Sequence, residues 1–480
     1  VSAIPELSDC PEAQQRISSP DFCQRLSAVR ASEWVQYTDV TALKMSILPL
    51  LYATFKHQHL DSLTERGQAF HDFVEQGGES LLSQAAFDAI HADLCEQDAD
   101  IWGWQVFPEH YRHFHCAAVQ DYLRENQERI NLYLYMQWIA DEQIQEVQRA
   151  AEAQGMVIGL YRDLAVGVAE SGAEVWADQG DLLLDVSVGA PPDELGPLGQ
   201  NWGLPPLNPL TLRHQAYEPF IQLLRANMKS CGALRIDHIL GLLRLWWIPR
   251  GEKATEGAYF YYRVHELLAI LALESHRHQC SIIGEDLGTV PQEIVALLAD
   301  AGIYSYKIFF FQTAEDGGYF SPAHYTVQSM SVLCTHDMPT LRGFWHCLDL
   351  KMGHDIGLYP DEAQFKFRMD VRLHHKQAIL DSIAGHGLLP ESVGRDAMTV
   401  PMSDALCEAM HLHMAAGASA LMSVQLEDWL QMDNPVNIPG TVEEYPNWRR
   451  KLSQPLETLL SQPEIQRLAA RISAMRAQQR

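Results

Sequence analysis

The 480 residues are 47% apolar and 20% charged, a globular balance that excludes a disordered chain and leaves room for one large domain with insertions or two to three smaller ones. Sixty-two acidic against 35 basic residues give a formal net charge of −27, which by sign alone excludes nucleic acid and anionic membrane as main partners but not a neutral substrate. Nine scattered cysteines with no C-x-x-C pair, no apolar run of about eighteen residues and no basic-then-apolar start point to a reduced, cytoplasmic protein.

In chain order, residues 1–40 are polar and rich in Pro, Ser and Asp, and read as a connecting segment that opens without a methionine, as in a piece of a longer chain. Residues 41–150 read as a helical insertion subdomain. Its clearest helix places Tyr133, Met136, Ala140, Ile144, Val147 and Ala151 on one face by three- and four-residue steps and ends at Gly155.

Over 151–344 the pattern changes to short apolar runs that stop at a polar residue and alternate with helices. Met156–Tyr161 precedes Arg162-Asp163, Ala233–Ile236 precedes Asp237, and Ser281–Gly284 precedes Glu285. Tyr304–Phe311 follows, then Ser331–Thr335 before His336-Asp337, and later Leu421–Leu426 before Glu427-Asp428. Two Gly-bounded loops, Gly189-Ala-Pro-Pro-Asp193 and Gly199-Gln-Asn-Trp-Gly203, sit after strands as possible substrate walls. Residues 345–419 read as a second helical insertion, with Pro360 and Gly385 bracketing one helix and Ser403 and Gly417 another. Residues 420–480 hold the last strand and C-terminal helices. Buried strands alternating with helices predict an α/β fold, and polar residues repeated at strand ends are the pattern of a (β/α)₈ TIM barrel with large helical insertions. About six strands are counted, so two are missing from the eight that such a barrel needs.

Three strand ends carry acids. In Leu234-Arg-Ile-Asp-His238, strand parity puts Arg235 and Asp237 on one face, where a guanidinium keeps a carboxylate charged and nucleophilic. A plain structural ion pair is the competing reading. Glu285 ends an apolar strand, and desolvation there suits a general acid. Asp286 could fill that role equally on the residues alone, and both acids could simply serve the start of the following helix, which Thr289 and Pro291 mark. Asp337, beside His336, is the third, with a turn-forming Asp before Pro339 as its alternative. Two carboxyls flanking a bond, with a third stabilising positive charge, are what retaining glycoside chemistry requires. Trp202 is the leading sugar-stacking aromatic, and of the adjacent Trp246 and Trp247 at least one belongs to the core. His113, His115 and Cys116 lack a second ligand cluster at metal-binding spacing, so no metal site is expected. His276, His278, His411 and His413 read as solvated or packed helix residues.

Leu234-Arg-Ile-Asp-His-Ile-Leu-Gly241, Ile283-Gly-Glu-Asp-Leu-Gly-Thr-Val-Pro291 and Thr335-His-Asp-Met-Pro-Thr340 together resemble the amylomaltases, the 4-α-glucanotransferases of glycoside hydrolase family 77. Gly159–Gly167, Glu174-Val-Trp176, Gly189–Asp193, Gly199–Gly203 and Asn437-Ile-Pro-Gly440 are similar to the same family's segments in the same order, from about residue 40 onward. The resemblance implies a (β/α)₈ barrel in which Asp237 is the nucleophile, Glu285, rather than Asp286, the acid/base, and Asp337 the transition-state stabiliser. It further implies that Arg235, His238 and His336 hold the sugar at the cleaved bond, that Gln200 and Trp202 line the acceptor side, and that Asn437 lies near the sugar. The family's first two barrel strands have no counterpart here. The implied substrates are maltooligosaccharides and α-1,4-glucans, with no cofactor; oligomeric state is not implied. The rival readings are an α-amylase-like hydrolase, a magnesium enzyme of the enolase type and a non-catalytic glucan-binding relative.

Overall fold

A computed structural model describes residues 1–192, 198–359 and 361–478. Asp193, which closes one of the loop motifs, and Pro360, placed before a helix, lie outside the described residues. The chain divides into two compact units, Val1–Ile282 and Ile283–Arg480, so the division falls inside the stretch 151–344.

The first unit opens with helices rather than a connecting segment. Pro11–Ile17, Pro20–Ala31 and Tyr37–Met45 are helical, and Ile4, Cys10 and Ala13 join a core that includes Phe55, Phe70 and Trp138. The prolines that suggested a linker, with Ser19, are helix starts. Proline suits the first turn, where its missing N–H is not needed, and Ser19 Oγ caps the second helix by accepting from Phe22 N. Glu6, 1% exposed, accepts from Tyr135 Oη at 2.8 Å and pairs with Arg66, which also reaches Glu142 at 3.1 Å. The opening residues are thereby locked to the helix Gln127–Ala153.

That helix forms as expected but buries a different face. Ile130, Leu134, Tyr135, Trp138 and Ile139 are inside, while Val147 is 52% exposed and Ile144 also faces solvent. Two apolar stripes interleave in this sequence, and the larger aromatic one wins the core because Tyr135 and Trp138 pack on Phe55.

Ten strands occur among the described residues. In the first unit they are β1 (Tyr161–Leu164), β2 (Val186–Ala190), β3 (Gln200–Leu204), β4 (Ala233–Ile236), β5 (Arg244–Pro249) and β6 (Ala258–Tyr261). β7 (Ser281–Gly284) crosses the unit boundary, and β8 (Tyr304–Ile308), β9 (Ser329–Val332) and β10 (Leu421–Met422) belong to the second unit. β1 starts five residues later than expected, because Gly155 and Gly159 take φ of 81° and 67° and interrupt any extended run from Met156. It pairs in parallel with β4, setting Asp163 opposite Arg235. Ser281 at the start of β7 donates to Gly232 O, just before β4, at 2.9 Å.

A second sheet of this unit, in the order β3-β2-β5-β6, is antiparallel. Both Gly-bounded motifs expected as loops contribute to it. Gly189, inside β2, has Gln200 O only 2.0 Å from where a Cβ would stand, so no larger residue permits this pairing. Strands this short are made by their partners, not by local pattern.

In the second unit β7, β8, β9 and β10 pair in parallel succession, which with the intervening helices makes this an α/β protein. β8 and β10 are shorter than their apolar runs, and short helices, Phe309–Phe311 and Leu426–Trp429, follow them. The helices Glu362–Gly385 and Asp404–Ala415 bury Ile379, Leu380, Leu406 and Met410 with Phe310 and Phe344, whose rings stack at 3.8 Å. Among the described residues no helix is long and apolar enough to cross a membrane.

Candidate active site

The first unit presents one constellation. Asp237 directly follows β4, and Arg235 on the same face holds it at 2.8 Å, the parity expected of a strand. Arg235 is 4% exposed and its other nitrogen forks onto both oxygens of Asp163, at 2.7 and 2.8 Å. One buried cation therefore serves two carboxylates from neighbouring strands. Burying that charge is tolerable because both partners are anionic and well aligned. Asp163 was given no role from the sequence, although it stops an apolar run inside the family-like segment Gly159–Gly167; its partner lies 72 residues away.

His238, next in the chain, takes a left-handed backbone at φ 47°, a conformation a non-glycine residue keeps only where its surroundings fix it. Burial, reinforced by the positive charge of Arg244, pushes its imidazole down to about 4, so it is neutral at ordinary pH. Its ring meets Trp202 edge-on at 5.4 Å, and Trp202 Nε1 donates to Gln200 Oε1 at 3.1 Å. His238, Trp202 and Gln200 thus form a contiguous polar-aromatic wall within this unit. Of the tryptophan pair on β5, Trp247 is core, stacked on Phe260 at 4.1 Å, whereas Trp246 is half-buried and donates to Ala254 O.

The second unit presents the other two acids. Glu285 directly follows β7 and is 9% exposed. Asp286 beside it accepts from Ser305 Oγ and from Tyr306 N, so its carboxylate is used in tying β7 to β8. The two adjacent acids have different occupations. Asp337 follows β9 by a short turn, and its oxygens take Asn437 Nδ2 at 2.6 Å and His336 Nε2 at 3.1 Å. Trp448 faces His336 at 5.2 Å between rings; nothing in the local pattern marked it.

His115 lies 3.7 Å from Glu79, and His411 and His413 are buried in the helix Asp404–Ala415. No group of three or more His, Cys, Asp or Glu suited to a metal ion occurs among the described residues.

The molecule is thus an α/β protein with acids following its parallel strands, two of them braced by a guanidinium, an amide and an imidazole. It belongs to the 4-alpha-glucanotransferase family of glycoside hydrolase family 77, whose model matches residues 7–457. A 4-alpha-glucanotransferase of Haemophilus influenzae is 38% identical over 474 residues, 98% of this chain and 67% of that protein. One of Mycobacterium tuberculosis is 33% identical over 472 residues, covering 95% and 60%. The crystal structure of amylomaltase from Corynebacterium glutamicum superposes with a TM-score of 0.83 at 28% identity, covering 98% of this chain and 64% of that one. The chain therefore spans about two thirds of the length of these relatives.

Proposed function

We propose that this chain is the catalytic part of a 4-α-glucanotransferase that moves α-1,4-glucan segments between maltooligosaccharides with retention of configuration. The observation that carries the reading is the placement of three acids after three parallel strands, Asp237 after β4, Glu285 after β7 and Asp337 after β9, in a chain of this family.

In the first half-reaction Asp237, kept ionised by Arg235, attacks the anomeric carbon of the donor while Glu285 protonates the departing glycosidic oxygen. The C–O bond breaks, a covalent glycosyl-enzyme forms and the shortened glucan leaves. Glu285, now a carboxylate, takes the proton from the 4-hydroxyl of an incoming glucan, whose oxygen displaces Asp237 and restores the starting enzyme. Asp337 faces the positive charge that grows on the ring in both transition states. Arg235, His238, His336 and Asn437 position the sugar, and Gln200 with Trp202 favour a sugar over water on the acceptor side. The chemistry needs no cofactor.

The fold reading that accompanies this is a (β/α)₈ barrel with helical insertions at 41–150 and 345–419, to which these residues contribute six strands and the remainder of the whole protein the other two. Residues 1–40 then belong with the first insertion, 151–344 hold the catalytic strands, and 420–480 close the barrel. The cysteine usage suits a reduced, cytoplasmic setting.

The test is to incubate the whole protein with maltotriose and follow both products and total reducing ends. Glucose with a ladder of longer maltooligosaccharides, at constant reducing ends, is the expected result. Rising reducing ends would make the protein a hydrolase, and glucan binding without products would make it a non-catalytic relative.

A further inference from the structure

The turn that carries Asp337 is held at two points by one later segment of the same unit. Asn437 grips the Asp337 carboxylate itself. The second hold is at the far end of the turn, where the helix Leu341–Trp345 begins. There Leu341 N–H donates to Asp428 Oδ1 at 2.8 Å, Thr340 Oγ1 donates to Met432 O at 2.6 Å, and Gly343 N–H donates back to Thr340 Oγ1 at 3.0 Å. The approach is close: a Cβ at Gly343 would stand 2.5 Å from Asp433 O. Arg342 adds an ion pair to Asp433 at 2.6 Å.

Asp428 is the unusual member of this joint. It is 2% exposed and among the described residues no cation pairs with it; its neighbours are the Leu341 N–H, the thiol of Cys334 and the side chain of Glu427, while Cys407 Sγ donates to the backbone carbonyl of Asp428 at 3.6 Å. Burial pushes its carboxyl up to about 7, against the pull of Leu341 N–H and Cys334. An apolar residue of similar volume would cost the core less than a carboxylate so placed, so stability alone does not account for an acid here. What the acid supplies is a fixed acceptor for the first backbone donor after the Asp337 turn.

We propose that Asp428 is a positioning residue for Asp337. It pins Leu341 N–H, and with Asn437 at the other end it leaves the turn Thr335–Thr340 a single conformation, so that the Asp337 carboxylate is presented in one orientation. The inference rests on the reading of Asp337 as the transition-state stabiliser, and it names a residue that never touches the sugar.

The experiment compares Asp428→Ala with Asp428→Asn in the whole protein. Asparagine keeps an acceptor oxygen for Leu341 N–H; alanine does not. The first readout is amide hydrogen exchange over residues 335–345, and the second is kcat and KM for maltotriose transfer. Asp428→Ala is expected to speed exchange over that peptide about tenfold, with the helix Asp404–Ala415 unchanged, and to lower kcat by up to about 10²-fold at constant KM, the scale of an ångström-sized misplacement. Asp428→Asn should recover most of both.

Unchanged exchange in Asp428→Ala, or Asn failing to recover what Ala loses, would overturn the proposal. So would a loss seen in KM with kcat intact. If Asp428→Ala does not fold, Asp428→Leu, which fills the volume without an acceptor, is compared instead. If the unaltered protein makes no transfer products, the functional reading falls, while the exchange measurement still decides whether Asp428 sets the Asp337 turn.

Discussion

Asp237 stands directly after β4 and Asp337 beyond the turn that follows β9, and the two units support them by different physics. Asp237 is held by a buried guanidinium at 2.8 Å, a full charge that favours the carboxylate strongly. Asp337 is held by the amide of Asn437 at 2.6 Å and an imidazole at 3.1 Å, which fix the direction of the carboxylate. The difference suits the roles proposed for them. A nucleophile must stay ionised at rest and then form a bond, whereas a group that stabilises growing positive charge works best with its own charge uncompensated.

The largest expected effect comes from removing the nucleophile. Asp237→Asn should lower kcat for maltotriose transfer by at least about 10⁴-fold, while the melting temperature holds or rises because Arg235 keeps Asp163. Accumulated turnover close to that of the unaltered protein would end the assignment.

Next is Arg235→Ala, which leaves two carboxylates from β1 and β4 without their shared cation. We expect a loss of about 2–3 kcal/mol in denaturant unfolding, less than for a fully buried pair because both acids keep contact with water. Arg235→Lys restores the charge but not the fork onto Asp163, and should recover only part of it.

Asn437→Ala tests the other mode of support. Losing one hydrogen bond to a charged group costs about 1.5 kcal/mol, so kcat should fall roughly tenfold with little change in stability. A loss as large as that of Asp237→Asn would mean that the two acids are not supported differently after all.

The last test is the pH dependence of stability, where His238 and Asp428 act in opposite directions. His238 is pushed down to about 4, so the unfolded chain binds the proton more readily. Its contribution is complete above the unfolded value of about 6.5 and is lost as pH falls toward 4. Asp428 is pushed up to about 7, so the folded state binds the proton more readily, and stability is lost as pH rises from about 4 to 7. In urea titrations, His238→Gln should flatten the acid side, and Asp428→Asn should raise stability above pH 7 relative to below pH 5. Parallel pH profiles for both variants and the unaltered protein would contradict these ionisation states.

Much of this was legible along the chain because it depends on neighbours in sequence. A strand ending in an acid is a local pattern, so Asp237, Glu285 and Asp337 could be singled out, and the parity of Arg235 and Asp237 followed from two-residue alternation. The support for those acids was not legible: Asp163 meets Arg235 from 72 residues away and Asn437 meets Asp337 from 100. The same holds for Trp448 against His336 and for Asp428 under the Leu341 amide. Between Glu285 and Asp286 the residues alone left the choice open and the family resemblance favoured Glu285; that Ser305 and Tyr306 engage Asp286 is visible only in the folded chain.

The sequence by itself determined the α/β alternation, the ends of β4 and β7 and the family, because burial periodicity, turn residues and ordered motifs are properties of contiguous residues. Tertiary structure alone decided that residues 1–40 are helices of the core, that the Gly189 and Gly199 motifs pair as strands, and which stripe of the helix Gln127–Ala153 is buried. Each of those outcomes is fixed by the partner a segment meets: a buried Arg66 for Glu6, a Gln200 carbonyl for Gly189, Phe55 for Tyr135 and Trp138. A chain carries its own hydrogen-bonding and apolar groups, but the partners that satisfy them are chosen only on folding.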